Sequence, residues 1–172
     1  SNVTLAPSLT GGQPVKYTSN GKAVQTVVAE TEKSFQLINA LNAEQQKKAV
    51  IGSRVIDLAL GPGQDGKKIA PQGIKASELT AEQQNLLLEL LNTRVGMLND
   101  EDAALKMAEI RVGINDTYFA WSGPLTAGSA AYFRVQGPSV VMEYSPQSMG
   151  GDATNHIHSM YRDPNNDYGA QW

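Results

Sequence analysis

The sequence of 172 residues contains no cysteine. The chain therefore has no disulfide framework, no thiolate metal site and no cysteine nucleophile. No apolar run approaches the roughly 20 residues that a membrane-spanning helix needs, so we expect no insertion into a membrane. An excess of charge of one sign is also missing, because 14 basic and 17 acidic residues leave a net charge of −3. This balance predicts that nucleic acid is not a partner.

Several catalytic signatures are missing as well. The chain has no Gly-x-Ser-x-Gly, no His-Glu-x-x-His, no phosphate-binding loop and no Gly-x-Gly-x-x-Gly segment after a predicted strand. It begins Ser1-Asn2-Val3, without an initiator methionine or a basic-then-apolar leader. From this beginning we expect a piece of a longer chain, from which any signal peptide has been removed.

What the sequence does contain is typical of an α+β protein. Residues 1–18 are broken by proline and glycine and predict a short edge strand with turns. Residues 26–113 have mainly helical periodicity, interrupted by a long irregular loop over 52–77. Residues 117–163 contain about four aromatic and β-branched runs between turn signals, which predict an antiparallel meander. We expect a single domain over 1–172, with the helical middle segment packed on the carboxy-terminal sheet.

One short segment occurs twice. Residues 41–46 and 79–84 differ at a single position and lie 38 residues apart. Each contains Asn or Thr followed three residues later by Gln, which is the pattern of a capping box. The flanking residues do not match, so we interpret the pair as one helix start used twice and not as a structural repeat.

Both histidines of the chain lie in one tripeptide, His156-Ile157-His158. On a strand, residues two apart point to the same face with Cα atoms roughly 6.6 Å apart. Two imidazoles so placed can share one divalent metal ion such as Zn²⁺. Their face continues through Met160 and Arg162, and because the opposite face is more apolar we expect the histidines to face a cleft or solvent. The alternative is that both histidines line a polar strand face or bridge to Asp and backbone groups.

A metal site needs a third ligand, and Glu143 on the preceding predicted strand is the first candidate. If the strands pair one residue out of that register, Met142 faces the histidines instead. Two imidazoles and a thioether are a softer ligand set, which suits copper. Further candidates are Asp152, Asp163 and Asp167.

Two arginines and one tryptophan are candidate ligand-binding residues. The guanidinium groups of Arg134 and Arg162 could each bind a carboxylate or phosphate of a small molecule. The structural alternative for Arg134 is a cross-strand ion pair with Glu143. Trp121 could stack on a sugar or another ring, and its alternative role is in the hydrophobic core.

The order of motifs in the second half of the chain resembles the bacterial domain of unknown function 3500 family. The segments that carry the resemblance are residues 118–123, 132–138, 141–144, 155–163 and 166–169. Two departures from the family pattern are Tyr161, where the family usually has Trp, and a longer polar turn over 147–153. The chain is similar to the carboxy-terminal portion of the family, whose members are typically longer. The resemblance implies an exported bacterial protein, periplasmic or extracellular, and supplies no reaction.

Three functional hypotheses follow. The first is a ligand-binding domain whose polar site includes His156, His158 and Glu143, with Arg134, Arg162 and Trp121 as ligand contacts and a divalent metal such as Zn²⁺ as a candidate cofactor. The second is a metal-assisted hydrolase in which the histidines hold the ion and Glu143 is the general base. The third is a structural or interaction module.

Overall fold

The computed structural model describes residues 4–149 and 151–170 and has an α+β fold. The described residues contain four α-helices, which are α1 (Val28–Ala40), α2 (Ala43–Ala49), α3 (Ala81–Val95) and α4 (Asp100–Val112). The predicted helical middle segment is confirmed. It also contains two short strands, Val50–Gly52 at the start of the predicted irregular loop and Ile74–Lys75 within it.

Two of the helices begin at the repeated segment. Asn42 caps α2 and Thr80 caps α3, and in each case the side chain accepts a hydrogen bond from the backbone N–H three residues later. Gln45 and Gln83 complete the capping boxes by accepting a hydrogen bond from the backbone N–H of the cap residue. The interpretation of the repeat as one helix start used twice is confirmed.

The two capping glutamines also contact each other. Gln45 Nε2 donates to Gln83 Oε1 and Gln83 Nε2 donates to Gln45 Oε1, both at 2.8 Å. In addition, Gln45 Nε2 donates to the carbonyl of Glu78 and Gln83 Nε2 donates to the carbonyl of Ala40. The amino ends of α2 and α3 are therefore joined through side-chain amides.

The described residues form nine strands, arranged as one large sheet and one separate hairpin. They are β1 (Ser8–Gly12), β2 (Lys16–Ser19), β3 (Lys22–Gln25), β4 (Val50–Gly52), β5 (Ile74–Lys75), β6 (Tyr118–Ser122), β7 (Tyr132–Gly137), β8 (Val140–Pro146) and β9 (Ile157–Arg162). The seven-stranded sheet has the order β1-β9-β8-β7-β6-β4, with β5 also paired to β6. The predicted meander is β6 to β9, and β1 is the predicted edge strand. The sheet is mixed, because β4 runs parallel to β6.

The edge strand β1 lies against the strand that follows His156. Gly11 is opposite His158 in the pairing of β1 with β9. A Cβ atom at Gly11 would lie 2.0 Å from the carbonyl oxygen of Ile157, so only glycine allows this close approach of the two backbones.

One face of the sheet packs on the helices. Its aromatic side chains are buried with apolar side chains of α1 and α3 in a single hydrophobic cluster. Trp121 meets Phe35 of α1 edge to face, with ring centroids 5.0 Å apart, and Phe133 stacks on Tyr144 at 5.3 Å. Such contacts give the helices and the sheet one common core.

The opposite face of the sheet is covered by the irregular segment between β4 and β5. We call residues 53–73 the strap, because they cross the sheet without forming a helix or strand. Ser122 Oγ donates to the carbonyl of Arg54, Ser145 Oγ to that of Ile56, and Gln136 Nε2 to that of Ile69. The strap is thus a third layer, attached to the sheet mainly by polar contacts. No helix in the described part of the chain is both long and apolar enough to cross a membrane.

Candidate functional site

The strand register decides which predicted site residues share a face. Arg134 is opposite Glu143, Glu143 is opposite Met160, and Ser145 is opposite His158. Since directly opposed residues lie on the same side of a sheet, Glu143 is on the face of the histidines. Met142 points to the helix side, where it is part of the core.

Glu143 is fully buried beneath the strap. Its two carboxylate oxygens accept hydrogen bonds from the backbone N–H groups of Ala59 at 2.8 Å and Leu60 at 2.7 Å. The hydroxyl of Tyr132 donates a third hydrogen bond to the same carboxylate. All these partners are neutral, and together they compensate the burial of a charged group.

Arg162 holds the neighbouring part of the strap. Its Nε donates to the carbonyl of Leu60 at 2.7 Å and its Nη2 to that of Gly61 at 3.0 Å. Its Nη1 lies 2.9 Å from Asp65 and 2.8 Å from Asp167. The hydrogen bond from Arg162 lowers the pKa of Asp65. The guanidinium group is therefore already surrounded by acceptors from the chain itself.

Arg134 is also buried, and Tyr132 lies between it and Glu143. Arg134 Nη1 donates to the Tyr132 hydroxyl at 3.3 Å, and Nη2 donates to Gln72 Oε1 in the strap at 2.8 Å. Burial raises the pKa of Tyr132, so its hydroxyl stays protonated and available as a donor. Tyr132 was missed by the sequence analysis, although strand alternation places it on the face of Arg134.

Trp121 lies on the helix face and is fully buried. Its ring contacts Phe35, and its Nε1 donates to the carbonyl of Gly123 at 3.1 Å. The structure thus places Trp121 in the core, on the opposite side of the sheet from the histidines.

His156 and His158 form a close pair at the beginning of β9. Both side chains are partly exposed, and their Nε2 atoms are 3.1 Å apart with the rings nearly perpendicular. His156 Nδ1 lies 3.3 Å from the carbonyl oxygen of Met149. A hydrogen bond from Nδ1 to that carbonyl leaves Nε2 of His156 unprotonated, with its lone pair facing Nε2 of His158.

The loop before β9 fixes the position of this pair. The backbone N–H of Gln147 donates to the carbonyl of His156 at 2.7 Å. Asn155 Oδ1 accepts from the backbone N–H groups of Val15 at 2.9 Å and Lys16 at 3.1 Å, which ties the loop to the start of β2. These contacts hold both ends of the loop that brings Met149 to His156.

The predicted third ligands do not join the pair. Within residues 4–149 and 151–170, no group of three or more His, Cys, Asp or Glu side chains is arranged to hold a metal ion. Asp152 accepts hydrogen bonds from Thr154. Asp163 pairs with Lys106, and Asp167 pairs with Arg162. What the sheet brings together is thus a two-histidine pair at one end and a buried polar cluster around Glu143 under the strap.

A family model described as protein of unknown function (DUF3500) matches residues 1–170 of the 172-residue chain. The chain belongs to the DUF3500 family. The resemblance predicted from the motifs is therefore confirmed. The expectation that it covers only the carboxy-terminal portion is wrong, because the DUF3500 match begins at residue 1. Comparison with curated proteins and with solved structures gave no match.

Proposed function

We propose that this DUF3500 protein binds a divalent transition-metal ion through the Nε2 atoms of His156 and His158. The observation that carries the proposal is the distance of 3.1 Å between these two atoms, on side chains that solvent reaches. With metal–nitrogen bonds of about 2.0–2.1 Å, nitrogens at this separation subtend an angle of about 100° at the ion. This angle lies between the ideal values for square or octahedral and for tetrahedral coordination.

The surroundings of His156 support the same role. A metal-bound imidazole usually donates its other ring N–H to a carbonyl or carboxylate, which fixes the ring and its tautomer. The carbonyl of Met149, 3.3 Å from Nδ1 of His156, is placed for this function. The chain's own residues would then supply two ligands, and water would complete the coordination.

The donor set favours Cu²⁺, Ni²⁺ or Zn²⁺ over Mg²⁺ or Ca²⁺. Imidazole nitrogen suits the first group, whereas the second group prefers oxygen ligands. Glu143 would not assist as a general base, since its carboxylate is buried and accepts hydrogen bonds from Ala59, Leu60 and Tyr132. The proposal is therefore one of binding and not of hydrolysis. The exported location implied by the family resemblance stays a prediction.

The sequence makes the test simple, because His156 and His158 are the only histidines and there is no cysteine. We expect untagged protein to bind one Cu²⁺ ion with two imidazole nitrogens visible in the electron paramagnetic resonance spectrum. His156→Ala and His158→Ala should each leave one nitrogen and weaken binding by about tenfold or more, since each removes a direct ligand.

Two variants serve as controls for this experiment. The double variant lacking both histidines measures binding by the amino terminus and other groups, and this background is subtracted. Asp152→Asn keeps the shape of the turn and removes a candidate carboxylate ligand, and we expect no change in affinity. If copper binds wild type and the double variant equally, the histidine pair is only a hydrogen-bonded contact and the proposal is wrong.

A further inference from the structure

A second candidate site lies on the helix side of the sheet, away from the histidines. A cavity of about 250 Å³ opens between the amino-terminal segment, α4 and the end of β9. One part of its lining is apolar, with Ala6, Leu98 and Leu105, and another part is polar. Tyr161 lines it from β9 and belongs to the core face of the sheet, whereas His158 belongs to the strap face.

Tyr161, which lines this cavity, carries a buried polar group. The side chain is 1% exposed, and its hydroxyl has no hydrogen-bond partner among the described residues. Burial raises the pKa of Tyr161, and the carboxylates of Asp163 and Glu109 raise it further. Both carboxylates line the cavity, whereas Arg94, whose charge opposes the shift, does not. An unpaired buried hydroxyl costs free energy that a ligand can recover.

The charges around the cavity favour a cation. Asp102, Glu109 and Asp163 supply three negative charges, and Lys106 supplies one positive charge. Lys106 Nζ is 2.8 Å from Glu109 and 2.6 Å from Asp163, so its charge is already compensated. Within the described residues Asp102 forms no ion pair, and its side chain accepts a hydrogen bond from Asn99. One carboxylate at the cavity is therefore available to a ligand.

We propose that this cavity binds a small organic ammonium ion. The ammonium group pairs with Asp102, the apolar part packs against Leu98 and Leu105, and the Tyr161 hydroxyl gains a hydrogen-bond partner. Leu105 supports this arrangement because it is 66% exposed beside the cavity, although it is a large apolar residue. A cavity that combines an apolar wall with a few polar groups is the usual form of a small-molecule site.

The test compares three probes of nearly equal shape and different charge: benzylamine, benzyl alcohol and benzoate. Amide chemical shifts of the full-length protein are followed by nuclear magnetic resonance. We expect benzylamine to shift residues that line the cavity, benzyl alcohol to bind more weakly, and benzoate to leave these signals unchanged. Localisation to the cavity also separates this site from the histidine pair.

Variants then assign the contacts. Asp102→Asn should raise the dissociation constant of benzylamine by about threefold to fivefold, as expected for one partly exposed ion pair. Glu101→Gln removes a neighbouring acid of the first helical turn that does not line the cavity, and it should have little effect. Tyr161→Phe should weaken benzylamine binding by about fivefold, the effect of one hydrogen bond. This variant should fold normally, because it removes a hydroxyl that has no partner.

Three results would each overturn the proposal. The first is that benzoate binds in the cavity as well as benzylamine does. The second is that Asp102→Asn and Glu101→Gln have the same effect. The third is that benzylamine produces no shifts among the cavity residues at all.

Discussion

At the scale of single residues, the most unusual group is the buried pair of Glu30 and Arg94. Arg94 Nη1 lies 3.6 Å from Glu30 Oε1, and Arg94 Nη2 donates to Ser8 Oγ at 2.8 Å. Glu30 Oε2 and Arg94 Nε have no hydrogen-bond partner among the described residues. Burial raises the pKa of Glu30, and the nearby Ser159 hydroxyl and Arg94 charge oppose the rise only in part. The ionised form of Glu30 is therefore less favoured in the folded protein than in the unfolded chain.

This shift has a consequence for the pH dependence of stability. The folded state holds a proton on Glu30 at pH values where the unfolded chain, with a pKa near the ordinary 4.5, has released it. The free energy of unfolding should consequently fall as the pH rises above 4.5 towards the raised pKa. In the Glu30→Gln variant, the free energy of unfolding should depend less on pH in this range. The variant should therefore become more stable relative to wild type as the pH increases. Urea unfolding at pH 4 to 7 measures the difference.

Glu32→Gln is the matched control for this experiment, because Glu32 is an exposed acid of the same helix. We expect the free energy of unfolding of this variant to change with pH in the same way as that of wild type. A Glu30→Gln curve that also stays parallel to wild type would show that Glu30 has no raised pKa.

At the scale of elements, the strap depends on a few side chains of the sheet. Glu143 is the central side chain, since its carboxylate accepts hydrogen bonds from the backbone N–H groups of Ala59 and Leu60. Arg162 holds the next carbonyls along the strap. A segment without helix or strand hydrogen bonds needs such partners wherever its backbone is buried.

Glu143→Gln should loosen the strap, because an amide offers one oxygen where two backbone donors need acceptors. We expect a loss of roughly 1–3 kcal/mol in the free energy of unfolding, together with faster hydrogen exchange at the amides of Ala59 and Leu60. Ser145→Ala, which removes one hydrogen bond to the carbonyl of Ile56, should cost about 1 kcal/mol and leave those two amides protected. Unchanged exchange in Glu143→Gln would contradict this role.

The sequence predicts some of these elements and contacts but not others. The starts of α2 and α3 were predictable because a capping box is written within four consecutive residues. The strands β6 to β9 were predictable from composition and turns. The strap partners of Glu143 and Arg162 were not, because they lie far along the chain in a segment without periodicity, and their contacts depend on the register of β7, β8 and β9. The same register was needed to learn that Glu143 and not Met142 shares the histidine face.

At the scale of the whole molecule, one sheet packs against two different layers. The helices pack on an apolar face through residues such as Trp121, and the strap packs on a polar face around Glu143. Because alternate residues of the same strands face the two layers, loss of the sheet removes the support of both.

We therefore expect the protein to unfold in a single transition, as a single domain over 1–172 should. A Trp172→Phe variant leaves Trp121 as the only tryptophan, so its fluorescence reports the helix face. Far-ultraviolet circular dichroism reports the whole backbone, and hydrogen exchange at Leu60 reports the strap. In urea the fluorescence and dichroism transitions should coincide, and the Leu60 amide should exchange only through global unfolding. Separate midpoints would indicate independently folding units.

The hydrogen bonds of the Gln45 and Gln83 side chains are reciprocal, as in a contact with two-fold symmetry. Each side-chain oxygen accepts two hydrogen bonds, one from the backbone N–H of the cap residue of its own helix and one from the other glutamine. Each side-chain nitrogen donates two, one to the other glutamine and one to the carbonyl that lies two residues before the cap residue of the other helix. Neither amide has a donor or acceptor to spare. Glutamate, which serves equally well in an isolated capping box, would bring carboxylates face to face if present at both positions. Residues 41–46 and 79–84 are thus two copies of a self-complementary segment, and the two copies bind each other within a single chain.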